Sequence, residues 1–498
     1  MNKRIIFLLV FSISVAFSSS LQAVELYETG NVNIHGFISQ GYMQSGGNNF
    51  FADTKDDGTF QYSEAGINFT TDVSDRLSLG IQLFSRDLGK MGNHEVTVDW
   101  AFADYSFTDW LNLKAGKVKL PYGLYNTERD VDMLRTFVFL PQSIYYEGWR
   151  DSSNALNGAG FYGYVEAGFF GSFSYEAYLG NSIVAEDAGV ARMLADQTPA
   201  SMELEFSEMN VEYTNAATLT WETVFGIEGL RIGGSLWAIE FEAESEYNDG
   251  GIQLHSMVPG PSGAPIPLMG NAGPYGSAGE GTSYMYYNGA ELVDYADHSD
   301  PAAMGAATAA ANAALGTAVG SAVAAGHYDT TRSRSTFNVK NVTTAISLEY
   351  VYDNLVFAAE VMQNDYDLDL EEFINPSTGE LIAQSFKTLG WYSSLTYRFT
   401  DWLELGTYYS EYYADADDKD GKDAVAEGTV VKAHEQYLKD LCLTARFDIS
   451  ANWILKVEGH QMEGAALLYR DDDNANAVGD ADYEKDWYLG AMKLTYSF

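Results

Sequence analysis

The last dozen residues constrain the fold of this chain more than any other stretch. From Tyr488 to Phe498 every second residue suits an apolar surface: Tyr488, Gly490, Met492, Leu494, Tyr496 and Phe498. The residues between them include Lys493, Thr495 and Ser497, which suit water. A period of two belongs to a β-strand with one greasy and one wet face. The strand ends flush with the chain, on an aromatic side chain.

The other end reads as an export signal. Lys3 and Arg4 form a basic start, Ile5 to Phe17 an apolar core, and the small residues Ser18 to Ala23 precede an expected cut after Ala23. That apolar core is short for a membrane helix, and the nearest later candidate, Pro301 to Gly326, is Ala/Gly-rich rather than Leu/Ile-rich. The reading is a signal peptide over 1–23 and one domain over 24–498. The formal charge of the whole chain is −42, which argues against nucleic acid, a partner that attracts Lys and Arg. Mean hydropathy is slightly negative, as expected where only half of each membrane strand meets lipid. The 34 Tyr, 27 Phe and 9 Trp suit interfacial girdles. Cys442 is the only cysteine, so no internal disulfide forms, and it reads as a small wall residue.

A short phrase recurs along the chain: Val73-Ser-Asp-Arg-Leu-Ser-Leu79, Phe107-Thr-Asp-Trp-Leu-Asn-Leu113 and Phe399-Thr-Asp-Trp-Leu-Glu-Leu405, with a longer relative at Ile449 to Leu455. Each closes one alternating run and opens the next, and Asp and Asn favour tight turns. Looser versions at Val165–Phe169, Ile227–Leu230 and Tyr352–Leu355 bring the short turns to seven. Long polar segments separate them, near 45–59, 87–94, 119–157, 181–206, 244–333, 368–384, 414–433 and 464–484. With a first strand near Asn31–Gln44 and a last near Lys485–Phe498, the expectation is an all-β fold. It is a closed transmembrane antiparallel barrel of sixteen strands, with short periplasmic turns, long extracellular loops and both ends periplasmic. The fifth connection, with its Pro-rich start and Ala-rich run, reads as a weakly packed segment or a lid over the mouth.

The stretch from Ala115-Gly-Lys-Val-Lys-Leu-Pro-Tyr-Gly-Leu through Leu140-Pro-Gln-Ser-Ile-Tyr-Tyr-Glu-Gly-Trp-Arg-Asp151 to Asn157-Gly-Ala-Gly-Phe-Tyr-Gly163 resembles Gram-negative porins, including relatives of the phosphate-selective porins O and P. The terminal Phe498 and Tyr496 likewise resemble the assembly signal of bacterial outer-membrane barrels. These resemblances imply an outer-membrane location, insertion by a barrel assembly machinery and a homotrimeric diffusion channel in lipid and lipopolysaccharide. They also imply a third loop, 119–157, that folds inward as a constriction. The charge pattern departs from an anion filter. Between Lys117 and Asp151 there are five bases (Lys117, Lys119, Arg129, Arg135, Arg150) and five acids (Glu128, Asp130, Asp132, Glu147, Asp151).

The candidate constriction residues are therefore Glu128, Arg129, Asp130, Asp132, Arg135, Glu147 and Arg150. Alternation turns Arg86, Lys114, Arg398, Arg446, Lys456 and Lys493 towards the lumen, with the acids Glu64, Glu404, Asp448 and Glu458. Basic walls facing an inserted loop would set up a transverse field; the competing reading is a generic wet wall of paired charges.

The acidic clusters at Asp365–Glu372, Asp415–Asp423 and Asp471–Asp473 are expected in loops. There they hold Ca²⁺ or Mg²⁺ weakly towards lipopolysaccharide, or keep the mouth solvated. Near-matches to a calcium loop fail at Lys55 and Ala416. None of the seven His forms a metal-ligand pair at helical spacing, and His460 reads as a wall residue. No GxSxG, HExxH or Walker pattern occurs. No metal, cofactor or catalysis is expected. Three functions remain open: a passive channel for small hydrophilic solutes and ions, a solute-specific channel for an anion or small carboxylate, and a surface adhesion or structural barrel. A TonB-type transporter is disfavoured, because no N-terminal room exists for a plug.

Overall fold

The computed structural model describes residues 32–498 apart from 90, 183, 185–190, 192–204, 255–257, 260–264, 267–284, 288–291, 295–327, 375–380, 428–429, 470–474, 477–479 and 482. The expected signal peptide, the Ala-rich run and the acidic cluster Asp471–Asp473 lie outside the described residues.

Sixteen strands form the wall: β1 (Val32–Gly46), β2 (Tyr62–Ser74), β3 (Leu77–Leu88), β4 (Val96–Thr108), β5 (Leu111–Lys119), β6 (Ala155–Glu166), β7 (Ser172–Asn181), β8 (Glu205–Glu222), β9 (Leu230–Leu254), β10 (Tyr328–Tyr352), β11 (Leu355–Ile374), β12 (Leu381–Thr400), β13 (Leu403–Tyr413), β14 (Tyr437–Asp448), β15 (Trp453–Gly464) and β16 (Asp486–Ser497). Each pairs antiparallel with its chain neighbours, and β16 closes the ring on β1. The closing register runs from Phe37 opposite Ser497 to Gly46 opposite Tyr488. The final residue completes the seam: Gly36 and Phe498 exchange N–H to C=O bonds, each 3.0 Å. Gly36 must be bare there, because a Cβ would lie 2.6 Å from the Phe498 ring and 2.8 Å from the Gly66 carbonyl oxygen.

The seven expected short turns are all present at one rim. One of the two-residue turns, between Tyr352 and Leu355, places Asp353 at φ 49°, a left-handed conformation that a short polar side chain tolerates better than most. The long connections emerge at the other rim. The largest departure from the sequence expectation is the fifth. Pairing of β9 with β10 continues well above the expected membrane edge, up to Leu254 opposite Tyr328. A strand of 25 residues is about 80 Å long, whereas about 9–11 residues span a bilayer. The alternation persists there with its sense reversed. Trp237, Ile239, Phe241 and Ala243 are buried inside, and Glu240, Glu242, Glu244 and Glu246 sit on the outer face. A search for greasy outward positions stops where acids take them over. The same effect extends β11 and β12 through Asp365 and Asp367.

At membrane height the outer face is apolar. Ile38, Leu179, Leu219, Ile346, Leu443 and Val457 are exposed, and Phe107, Trp110, Phe169, Phe225, Phe399 and Trp402 cluster about the short-turn rim. Among the described residues no helix is long and apolar enough to cross a membrane. Closure satisfies every strand edge, which is what lets a β-structure lie in lipid. The chain is a closed antiparallel β-barrel whose outer face is built to meet lipid.

Candidate functional site: the loop inside the barrel

Residues 120–154 leave β5 and turn into the lumen before β6 begins. Their neck is tied twice. The Leu120 N–H donates to the Asn154 carbonyl at 2.9 Å, and the Asn126 amide donates to the carbonyls of Leu120 (2.8 Å) and Ser153 (2.9 Å). Gly123 then turns the chain at φ +61° and donates its N–H to Ser235 of β9 at 3.1 Å.

On the near wall the loop is fastened by charge. Arg86 reaches Glu147 (3.1 Å) and Asp151 (2.8 Å). Arg150 reaches Asp99 at 3.0 Å, and Lys119 pairs with Asp130. Within the loop Arg129 holds Glu147 at 2.9 Å.

The far wall is engaged as firmly. Asp132 receives Lys456 (2.9 Å), Lys493 (3.2 Å) and the Thr495 hydroxyl (2.7 Å), and Lys493 also pairs with Glu64. Arg446 donates to the carbonyls of Met133 and Arg135. Glu458 accepts the N–H groups of Val138 (2.8 Å) and Phe139 (3.1 Å). Glu360 accepts the Tyr145 hydroxyl (2.5 Å), the Tyr392 hydroxyl (2.8 Å) and the Leu124 N–H (2.8 Å). Phe139 stacks on Tyr62 at 5.1 Å, and Phe137 meets Tyr408 edge-on at 5.0 Å.

Burial alone would raise the carboxyl pKa values of the loop, because it penalises the charged form. The surrounding cations outweigh it. Arg129, Arg86 and Arg150 hold Glu147 down at about 2, and Lys456, Lys493 and Arg135 hold Asp132 well below the usual carboxylate range.

These contacts revise the expected roles of the charged residues. Arg129, Asp130, Asp132, Glu147 and Arg150 are buried in pairs rather than lining an open gap, and Arg135 lies near Asp132 at 3.5 Å. Glu128 is the exposed member of the set. Of the wall cations, Arg86, Arg446, Lys456 and Lys493 bind the loop directly. Arg398 bridges Glu404 and Asp448, both at 2.7 Å. Opposite charges in contact cancel over a few ångströms, so these pairs do not sustain the expected field across an empty lumen. Lys114 differs. It sits 3.5 Å from Asp104 and over the rings of Phe102 and Tyr162, each at 4.8 Å, and it is partly exposed.

The free face of the loop, with Tyr125, Thr127 and Glu128, looks towards the inward side of β4–β10. There Asp104, Lys114, Tyr162, Glu176, Thr218, Thr220, Glu222 and Arg231 retain exposure. Arg231 pairs with Glu349 at 2.9 Å. Sequence reasoning missed Glu360, Asp99 and Tyr145. The inward setting of Glu360 between Ala358 and Met362 is legible, but two of its hydroxyl partners, Tyr145 in the loop and Tyr392, 32 positions along the chain, are not. It also missed a buried group on the far wall, where His460 lies between Asp440 (3.0 Å) and Glu458 (2.8 Å).

No protein-family model matches the chain, and no curated protein matches it. Solved structures resemble it in outline. OmpT, an outer-membrane protein of Vibrio cholerae, is 12% identical, with TM-score 0.45, over 95% of this chain and 99% of that one. An anion-selective porin from Comamonas acidovorans is 10% identical, with TM-score 0.48, over 94% and 100%. Salmonella typhi OmpF, in a complex with daunomycin, is 11% identical, with TM-score 0.46, over 95% and 100%.

Proposed function

We propose that this barrel is a porin-like channel for passive diffusion of small hydrophilic solutes and ions, narrowed by residues 120–154. The observation that supports it is the asymmetric seating of the loop. It contacts β2–β4 and β9–β16, while its other face leaves a polar, partly exposed strip along β4–β10. A structural barrel with no transport role has no need of a wet strip of that kind.

The strip also bears on selectivity. Its acids are Asp104, Glu128, Glu176 and Glu222, and its bases are Lys114 and Arg231, of which Arg231 is paired with the buried Glu349. An acidic surplus concentrates cations and repels anions. The loop's own bases, which an anion filter would need, are largely consumed by buried pairs. The reading is a weak cation preference, with the acidic outer loops adding to it at low salt. Their fields reach about 10 Å at 0.1 M and about 3 Å at 1 M salt. The anion-specific alternative rests on the sequence resemblance to the phosphate-selective porins, and the loop's pairing gives it no support. Homotrimer formation, lipopolysaccharide contact and insertion by the assembly machinery belong to the same proposal.

The test is the reversal potential of purified protein in a planar bilayer under a salt gradient. The reading expects conducting pores with modest cation selectivity that fades as salt rises. Strong anion selectivity would overturn the selectivity reading, and a folded barrel without conductance would overturn the channel itself.

A further inference from the structure

On the far wall, directly beneath the loop, three residues with different metal-ligating chemistries converge. Cys442 on β14 lies opposite His460 on β15 in the register, and Glu458 is two residues from His460 on the same face. One ligand atom from each of Cys442, Glu458 and His460 falls within 4.8 Å of the others, and all three residues are buried. Phe137 of the loop and Tyr408 of β13 close over the sulfur.

The environment of the imidazole is the informative part. Its Nδ1 lies 3.0 Å from Asp440 Oδ1, and Asp440 in turn accepts the Tyr408 hydroxyl at 2.8 Å. An N–H at Nδ1 satisfies that contact and fixes the ring. The other nitrogen, Nε2, then turns its lone pair towards Glu458 Oε1 at 2.8 Å. Two acceptors this close need a positive charge between them. The ion pairs of Asp440 and Glu458 are both with His460, so either a proton or a metal ion must supply that charge. A carboxylate behind a ligating histidine is the usual outer-shell arrangement of zinc sites. A cysteine sulfur, an imidazole nitrogen and a carboxylate oxygen are ligands that Zn²⁺ accepts.

We propose that Cys442, Glu458 and His460 form a site for a divalent transition-metal ion of the zinc class, with Asp440 as the positioning residue behind His460. Ligand atoms about 2.0–2.3 Å from a shared ion require only small side-chain movements from the present separations. On binding, Cys442 loses its thiol proton, and any proton on Nε2 leaves as well, so uptake releases protons. Glu458 also holds the Val138 and Phe139 N–H groups, so the ion would sit at the foot of the constriction loop and tie it to β14 and β15. The proposal is independent of which solute the channel passes.

The test uses the folded full-length barrel in detergent, stripped with chelator and titrated with Co²⁺ and Zn²⁺. The expected result is one tight site per chain, a near-ultraviolet sulfur-to-cobalt transition, and protection of the single thiol from alkylation under denaturing titration. Cys442→Ser should abolish the transition. His460→Ala should lose the tight site, and Asp440→Asn should weaken it by about 10–100-fold. Ca²⁺ and Mg²⁺ should not compete, which separates this site from the acidic loops. Absence of stoichiometric binding by the unaltered protein would overturn the proposal. So would cobalt bound without a sulfur transition, or zinc affinity unchanged in Cys442→Ser; in those cases a proton bridges His460 and Glu458.

Discussion

Replacing Asp132 by Ala is the sharpest perturbation of the loop's attachment. Asp132 is buried and serves Lys456 and Lys493 together, with Thr495 as a third partner. Both lysine side chains are essentially fully buried, so neither can turn to water. Lys493 keeps Glu64 after the change, but Lys456 is left with only the carbonyls of residue 132 and Phe137. Removing one partner of a buried ion pair typically costs about 3–5 kcal/mol, because a charge is stranded in a poor solvent. The cost falls on the seated loop rather than on the wall, whose strand pairing is untouched. A loss of about 3 kcal/mol shifts the balance between seated and released loop by about two orders of magnitude. Single-channel recording should show the variant switching between the parent conductance and a larger one. Heat-modifiable migration on gels should show that the barrel still forms. The double change Asp132→Leu with Lys456→Met should be quieter than the single one, since burying neither charge removes the stranded lysine. A folded Asp132→Ala barrel with the parent's conductance and noise would refute the argument that this carboxylate seats the loop.

Three further outcomes follow from the same contacts. Glu147 is held at about 2 in the folded protein, below its ordinary value near 4.5. Its contribution is therefore complete above about pH 4.5 and lost as pH falls towards 2. Larger, noisier openings should appear across that window, and unchanged recordings down to pH 2.5 would contradict it. Deleting Phe498, or changing Gly36 to Val, should reduce the folded, heat-modifiable barrel in membranes, because each disrupts the β1–β16 seam; normal yields of both would show that the seam tolerates its loss. Glu360→Gln keeps a hydrogen-bonding shape but loses charge, so thermal unfolding should show a smaller loss, about 1–2 kcal/mol, than Glu360→Ala; equal losses would count against hydrogen bonding as its role.

Strand number and turn positions were legible because alternation and Asp-rich turns are local signals. The inward direction of Arg86, Arg446, Lys456 and Lys493 was legible for the same reason. What each meets was not. Lys456 and Asp132 are 324 positions apart, and nothing near either residue names the other. The same distance hid the pairing of Arg86 with Glu147, and so hid that most loop charges are spent on attachment. The upper ends of β9 and β10 were misplaced for a different reason. Once a barrel rises above lipid its outer face no longer needs grease, and Glu240 to Glu246 keep the period while inverting the chemistry. Glu458 and His460 showed their common face in the sequence, but Cys442 joins them only through the register of β14 with β15.

The central claim is that residues 120–154 set the width of a conducting pore. Removing residues 125–147, with the neck around Leu120 and Asn154 retained, tests it most directly. Single-channel conductance of the purified deletion, with heat-modifiability to establish folding, should exceed that of the parent several-fold and lose its modest ion preference. A folded deletion with the parent's conductance would contradict the account.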